Sequence, residues 1–470
     1  MATKALTVTM LAMLDASCSR ERTRMLTPSN SRELTSHYLK DTSKVAQAYE
    51  LAATRWNDVG WHNPTMVTPN LDKYARAGVI LNSSYVQYFC SPSRNAFMTG
   101  YFPYHTGLQH QVILDGTPRY LPLSFTTLPQ HLKKAGYATH IVGKWHLGMC
   151  DWKLTPTYRG FDSFFGYYSG MEDYYTHMEH FKTDEGYDLR NDTEVFRDPQ
   201  ETHFNYLFTQ HAIDVIEQHD PSTPLYLYLP FHLVHAPLQV PMRFENMYKN
   251  IQNGSRRTFC GMVSMMDESF GNITKALERA GLLDNALLVF TTDNGGPVNG
   301  GANNWPLRGG KTTFWEGGTR GSAFVYSTSL LKKTGYVNNG MMHAVDWFPT
   351  ILQLAGLPAE AGIDGVDQWD MLSNDGPSKR EEFVYNIDTI LNTSDQQLQP
   401  KWPPRLYNIK EDPEERDNLA EAQPDMMRFM LTRLDQWMKS GVPPQNQPLD
   451  PRGNPKNWGG VWTPGWCTPK

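Results

Sequence analysis

Short apolar runs alternate with amphipathic segments along most of this chain, and that alternation constrains its fold more than any other feature. Met262, Met266, Phe270, Ile273, Leu277 and Ala280 recur at helical spacing, Gly281 supplies a stop, and residues 286–291 follow as a strand-like run. Residues 128–135 read as a helix stopped by Gly136, with a strand predicted over 137–142. Residues 225–229, Leu-Tyr-Leu-Tyr-Leu, are apolar throughout, as a strand covered on both faces must be. Helix and strand in alternation predict an α/β fold, a mostly parallel central sheet covered by helices.

The 470 residues exceed one compact core, so a large domain of about 350 residues with a smaller companion is expected. Residues 1–55 differ in character. Ser, Thr, Arg and Lys prevail to about residue 50, and residues 44–53 read as a short helix, giving a divergent N-terminal segment, disordered or partly helical. Residues 56–370 carry the α/β pattern, and 371–470 turn polar and proline-rich, as a smaller C-terminal region with an extended tail.

A net charge of −6 without a basic block excludes nucleic-acid binding as the main activity. No eighteen-residue apolar run occurs, so no membrane span is expected. Lys4 followed by residues 5–14 has the order of a signal peptide, though the apolar part is short and holds two threonines. Five N-x-Ser/Thr sequons, at Asn82, Asn191, Asn253, Asn272 and Asn392, suit a secreted glycoprotein. The cysteines Cys18, Cys90, Cys150, Cys260 and Cys467 allow at most two disulfides and include no C-x-x-C zinc pair.

Ligands of open α/β sheets bind beyond the carboxyl ends of the strands, and here those ends are consistently polar. Lys144 and His146 follow the first run, His232 and His235 the second, and Asp293 and Asn294 the third. Lys311 lies on a further loop, and Cys90 precedes a helix that includes Arg94. Taken singly, a histidine beside a strand is usually a structural hydrogen-bonder, Asp-Asn-Gly a turn, and a lone cysteine a small buried residue. Together they form a nucleophile candidate, cations and hard-cation ligands, a set suited to hydrolysing a tetrahedral oxyanion ester.

These residues also resemble a known family. Cys90-Ser91-Pro92-Ser93-Arg94 fits the Cys-x-Pro-x-Arg signature of the type I sulfatases, and Gly143–Gly148 fits their second signature. Asp293-Asn294-Gly295-Gly296, residues 304–309 and Trp315-Glu316-Gly317-Gly318 look like segments of the arylsulfatase B, I and J group, and of arylsulfatase B, N-acetylgalactosamine-4-sulfatase, in particular. The resemblance implies an alkaline-phosphatase-like sandwich with a smaller C-terminal α+β domain. It further implies a lysosomal or secreted sulfuric ester hydrolase, acting on sulfated N-acetylgalactosamine of dermatan or chondroitin sulfate.

By the same resemblance, a formylglycine-generating enzyme oxidises Cys90 to Cα-formylglycine, whose hydrate is the nucleophile. Arg94 and Lys144 hold that hydrate, and His146 assists its deprotonation. His235 and Lys311 bind the sulfate and protonate the leaving alcohol, while Asp293 and Asn294 ligate Ca2+.

Two departures follow. Family members begin with a buried strand ending in an Asp-Asp pair that completes the calcium site, whereas this chain reads Leu51-Ala52-Ala53-Thr54-Arg55 there. The strand therefore looks replaced by helical sequence and the metal site half built, with Asp58 a remote substitute. A strand pair expected between residues 388 and 406 is also missing. An impaired sulfatase is the leading expectation. A non-catalytic secreted protein that binds sulfated glycans is the alternative, and a two-metal phosphatase or phosphodiesterase of the same superfold a lesser one.

Overall fold

The computed structural model describes residues 56–181, 184–390 and 404–469, and the backbone of 46–52. Its main feature is a ten-stranded mixed sheet. In chain order the strands are β1 (Ala46–Ala52), β2 (Val79–Leu81), β3 (Ala138–Lys144), β4 (Ser163–Tyr167), β5 (Arg190–Asn191), β6 (Glu194–Val195), β7 (Leu225–Leu229), β8 (Ala286–Thr292), β9 (Ala323–Tyr326) and β10 (Tyr336–Asn338). They are arranged β10-β2-β9-β8-β1-β7-β3-β4-β5-β6. The central run β8-β1-β7-β3-β4 is wholly parallel, and antiparallel partners flank it on both sides.

Strand periodicity divides the core into two layers. Leu225, Leu227 and Leu229 enter one apolar cluster, while Tyr226 and Tyr228 enter the other. Each such buried side chain stabilises the fold by roughly 1.5–3 kcal/mol. The leucine face is covered by α1 (Pro69–Ala77), with α4 (Phe204–Gln218) and α5 (Gly254–Arg279) beside it. On the opposite face lie α2 (Cys90–Thr99), α3 (Leu128–Lys134) and α6 (Trp347–Leu354). The expected stops are real: Gly136 (φ +88°) and Gly281 (φ +67°) adopt the left-handed conformation that lets the chain leave a helix.

One expectation fails. Residues 44–53 were expected to be helical, yet Ala46–Ala52 is the central strand, paired in parallel with β7 on one side and β8 on the other. Ala, Gln, Glu and Leu are strong helix formers, but propensity is a weak prior, and two flanking strands with unpaired ladders outweigh it. The first strand has not been lost; residues 46–52 belong to the sheet.

Beyond residue 404 the chain forms α7 (Pro424–Met438), whose Leu434 joins the main core, and then an extended tail. That tail returns to the body of the fold. Tyr187 and Trp462 are joined through their backbones, and Cys467 forms a disulfide with Cys150. The strand pair expected between 388 and 406 falls largely on 391–403, outside the described residues.

Candidate active site

Cys90 opens α2, so its side chain lies among the backbone N–H groups of a ten-residue helix start, a place that favours anions. The thiol is buried, with Lys311 Nζ 3.4 Å and Asn294 Oδ1 3.3 Å from its Sγ. Burial alone pushes the thiol up, but Lys144, Lys311 and a contact with His146 prevail and hold it well below its ordinary value.

The neighbouring groups come from three strand ends, from α2 and from a loop. Lys144 ends β3, where burial holds its ammonium down at about 8. His146 follows with φ +57°, a left-handed conformation costly for a side chain bearing a Cβ and typical of functional sites. Its Nε2 lies 2.9 Å from the Ile113 carbonyl, which can only accept, so Nε2 carries the proton. Nδ1 is thereby left as a buried lone pair with no hydrogen-bond partner, in a ring that touches Cys90. Burial, then Lys144, lowers this imidazole to about 4.

His235 lies six residues beyond β7. Its Nδ1 donates to the Ala236 carbonyl at 2.9 Å, so Nε2 accepts the Lys311 ammonium at 3.0 Å. Lys311, His235 and Cys90 thus form a connected chain of polar contacts. His232 turns away from that chain, taking the Tyr167 hydroxyl on Nδ1 and facing the Ala236 carbonyl with Nε2.

Arg94, buried on α2, donates to the Lys144 carbonyl at 2.9 Å and to Asp293 Oδ2 at 3.0 Å. It therefore braces the site rather than pointing only at the nucleophile. The Asp293 turn is tightly packed: a Cβ on Gly295 would come 1.9 Å from the Gly317 carbonyl oxygen. All eight expected site residues, Cys90, Arg94, Lys144, His146, His235, Asp293, Asn294 and Lys311, thus gather at one end of the parallel strands.

For calcium the fit is partial. Asp293 Oδ1 is buried without a hydrogen-bond partner, as a carboxylate oxygen reserved for a hard cation would be. Beyond it, the described residues contribute only the Asn294 amide, and among them no group of three His, Cys, Asp or Glu side chains is arranged to hold a metal ion. Ala52 pairs with Thr292, the residue before Asp293, and the chain continues as Ala53-Thr54-Arg55 without a carboxylate. Asp58 is no substitute, because its carboxylate is held by Arg256 at 2.5 Å and by the Asn303 N–H at 2.9 Å.

Sequence reasoning missed the buried carboxylates Asp115, Glu172, Glu179 and Asp188. Asp188 accepts the N–H groups of Tyr168 and Ser169, whereas neither oxygen of Glu172 meets a partner. Burial raises Asp115 and Asp188 to about 7 against the hydrogen bonds and cations that oppose it, whereas burial and then the Asp115 charge together raise Glu179 to about 9. No motif carries them, since they come from separate loops and a hairpin.

A parallel-centred sheet between helix layers, with a helix-borne nucleophile candidate and convergent cations at the strand ends, defines a hydrolase of the alkaline-phosphatase-like class. The solved structure of Ps i-CgsB in complex with k-i-k-neocarrahexaose superposes with a TM-score of 0.75 at 25% identity, covering 86% of this chain and 94% of that one. The chain belongs to the sulfatase family, whose model matches residues 53–357, and is classed as a sulfuric ester hydrolase. It is 39% identical to arylsulfatase J of Mus musculus over 87% of this chain and 78% of that protein. It is 31% identical to N-acetylgalactosamine-6-sulfatase of Homo sapiens over 72% of this chain and 67% of that protein. These likenesses overturn the expected proximity to arylsulfatase B, the 4-sulfatase; shared active-site segments could not separate one subgroup from another. Among the described residues no helix is long and apolar enough to cross a membrane.

Proposed function

We propose that this chain hydrolyses sulfate esters of glycans, sulfated N-acetylgalactosamine among them, using Cys90 after its oxidation to Cα-formylglycine by a formylglycine-generating enzyme. The observation that carries the reading is the contact chain from Cys90 Sγ through Lys311 Nζ to His235 Nε2. The named activities of the similar sulfatases and the glycan bound by Ps i-CgsB support the substrate class.

The surroundings of Cys90 suit an oxygen nucleophile, because cations and an unoccupied imidazole lone pair face it. The formylglycine hydrate supplies two hydroxyls on one carbon, one to attack sulfur and one whose deprotonation releases sulfate. His146 Nδ1 accepts that proton. Lys311 and Lys144 neutralise the non-bridging oxygens, and Lys311 with His235 delivers a proton to the departing alcohol. Arg94 fixes both Lys144 and Asp293, so its part is to hold the geometry.

We further propose that turnover is impaired, because Ala53 and Thr54 supply no carboxylate beside Asp293 and Asn294 while Ca2+ prefers about six to eight oxygens. The Cys150–Cys467 disulfide supports a secretory or lysosomal location, since such bonds persist in oxidising compartments. The same missing carboxylates favour a second reading, a binder of sulfated glycans that does not turn them over.

The test is sulfate release from a sulfated N-acetylgalactosamine oligosaccharide by protein whose Cys90 peptide has been shown by mass spectrometry to carry formylglycine. Slow release that is stimulated by calcium and abolished by Lys311→Ala is expected. Tight glycan binding without any release would refute the hydrolase and leave the binder.

A further inference from the structure

The sequons divide sharply once burial is considered. Asn191, Asp192 and Thr193 form the turn between β5 and β6 at the outer edge of the sheet, with the asparagine exposed and Thr193 half-buried. Asn253, Gly254 and Ser255 are all exposed at the start of α5. The Asn253 Oδ1 caps that helix by accepting the Arg256 N–H at 2.9 Å, so its Nδ2 faces outward.

The other two described sequons are built into the fold. Asn82 is half-buried, its Nδ2 donates to Asn339 Oδ1 at 2.7 Å, and the sequon hydroxyl of Ser84 is 1% exposed. Asn272 lies half-buried in the middle of α5, and the hydroxyl of Thr274 is 2% exposed and donates to the Phe270 carbonyl at 3.0 Å. A glycan on Asn82 would have to break the Asn82–Asn339 hydrogen bond, and in the Asn272 sequon the Thr274 hydroxyl is committed to the helix backbone.

We propose that Asn191 and Asn253 are N-glycosylation sites of the folded protein and that Asn82 and Asn272 are not. In the transfer, the asparagine Nδ2 bonds to the anomeric carbon of an oligosaccharide carried as a lipid diphosphate. The bond between that carbon and the diphosphate oxygen breaks, the lipid diphosphate leaves with the electron pair, and the amide gives up one proton. No oxidant or reductant takes part.

The Cys150–Cys467 disulfide supplies an independent observation, because the compartment in which such a bond persists is the one in which this transfer takes place. The proposal does not rest on the hydrolase reading. It has a structural consequence at Asn191: a glycan on the turn beside β6, the last strand of the sheet, shields backbone groups that would otherwise template pairing with another chain.

The test uses the full chain produced in mammalian cells under its own N-terminus, with Asn392, which lies outside the described residues, changed to Gln. Glycan removal by peptide-N-glycosidase F in heavy-oxygen water labels each occupied asparagine. Label at Asn191 and Asn253 and at neither Asn82 nor Asn272 is expected. In gel mobility, Asn191→Gln and Asn253→Gln should each remove one glycan, and Asn82→Gln and Asn272→Gln none. Mapping without these four changes keeps the result independent of how the variants fold. Absence of label at Asn191 or Asn253, whether from failed entry or failed transfer, overturns the proposal, and so does label at Asn82 or Asn272.

Discussion

Glu179→Gln should stabilise the protein progressively as the pH rises above about 6.5, by an amount that follows from linkage. Glu179 is buried beside Asp115 and Asp188; burial, then the Asp115 charge, raises its carboxyl to about 9. In the unfolded chain the same carboxyl ionises near its ordinary value, about 4. Across the intervening range the folded state therefore binds a proton that the unfolded state has released, and stability falls as pH rises. The slope is about 1.4 kcal/mol per pH unit for this one group, so raising the pH from about 6.5 to about 8 costs about 2 kcal/mol.

Glutamine matches the protonated carboxyl in shape and removes this term. Histidines such as His62 and His203, lowered to about 4, add a dependence of the opposite sign below about pH 6.5, but both proteins share it and it cancels in the difference. For a chain of this size, about 2 kcal/mol corresponds to roughly 2–3 °C in Tm. The assay is thermal unfolding of both proteins at matched ionic strength across that range. The Glu179→Gln protein should already be the more stable of the two at about pH 6.5, and the difference in Tm should widen by roughly 2–3 °C as the pH rises to about 8. A difference that stays constant, or shrinks, would mean that Glu179 is ionised in the folded protein and the reasoning is wrong.

Three further outcomes are expected. Joint Ala53→Asp and Thr54→Asp substitution should raise calcium-dependent aryl sulfate turnover by about a hundredfold or more, the scale of metal-assisted charge stabilisation; an unchanged rate in formylglycine-bearing protein would show that these positions do not limit activity. Gly295→Ala, whose Cβ would lie 1.9 Å from the Gly317 carbonyl oxygen, should cost about 3 kcal/mol or more and be visible in denaturant unfolding as a lower midpoint. Arg256→Ala leaves the buried Asp58 carboxylate without its cation, and a loss of about 3–5 kcal/mol is expected; a midpoint within error of the wild type would mean that Asp58 finds another partner.

The helix and strand pattern was legible wherever local and tertiary preferences agreed. Leu225–Leu229 is apolar because helices cover both its faces, and α5 repeats at helical spacing because one of its faces packs on the sheet. Ala46–Ala52 was illegible for the converse reason: its local propensity is helical, and only the parallel partners β7 and β8 make it a strand. The N-terminal reading changed with it, since the first strand is present while the carboxylates that should follow it are not.

At the site, residue identity by itself determined the chemistry available. A cysteine in Cys-x-Pro-x-Arg, lysines and histidines after strands, and an Asp-Asn pair can be read along the chain because each stands at the end of a periodic segment. Tertiary structure alone decided which nitrogen of His146 lacks a partner, that Arg94 is shared between Lys144 and Asp293, and that Asp58 belongs to Arg256. It also brought Asp115, Glu172, Glu179 and Asp188 together under one layer of packing. Hydrogen bonds and Coulomb interactions act over a few ångströms, so groups distant in sequence leave no trace of one another until the sheet and its helices bring them within reach.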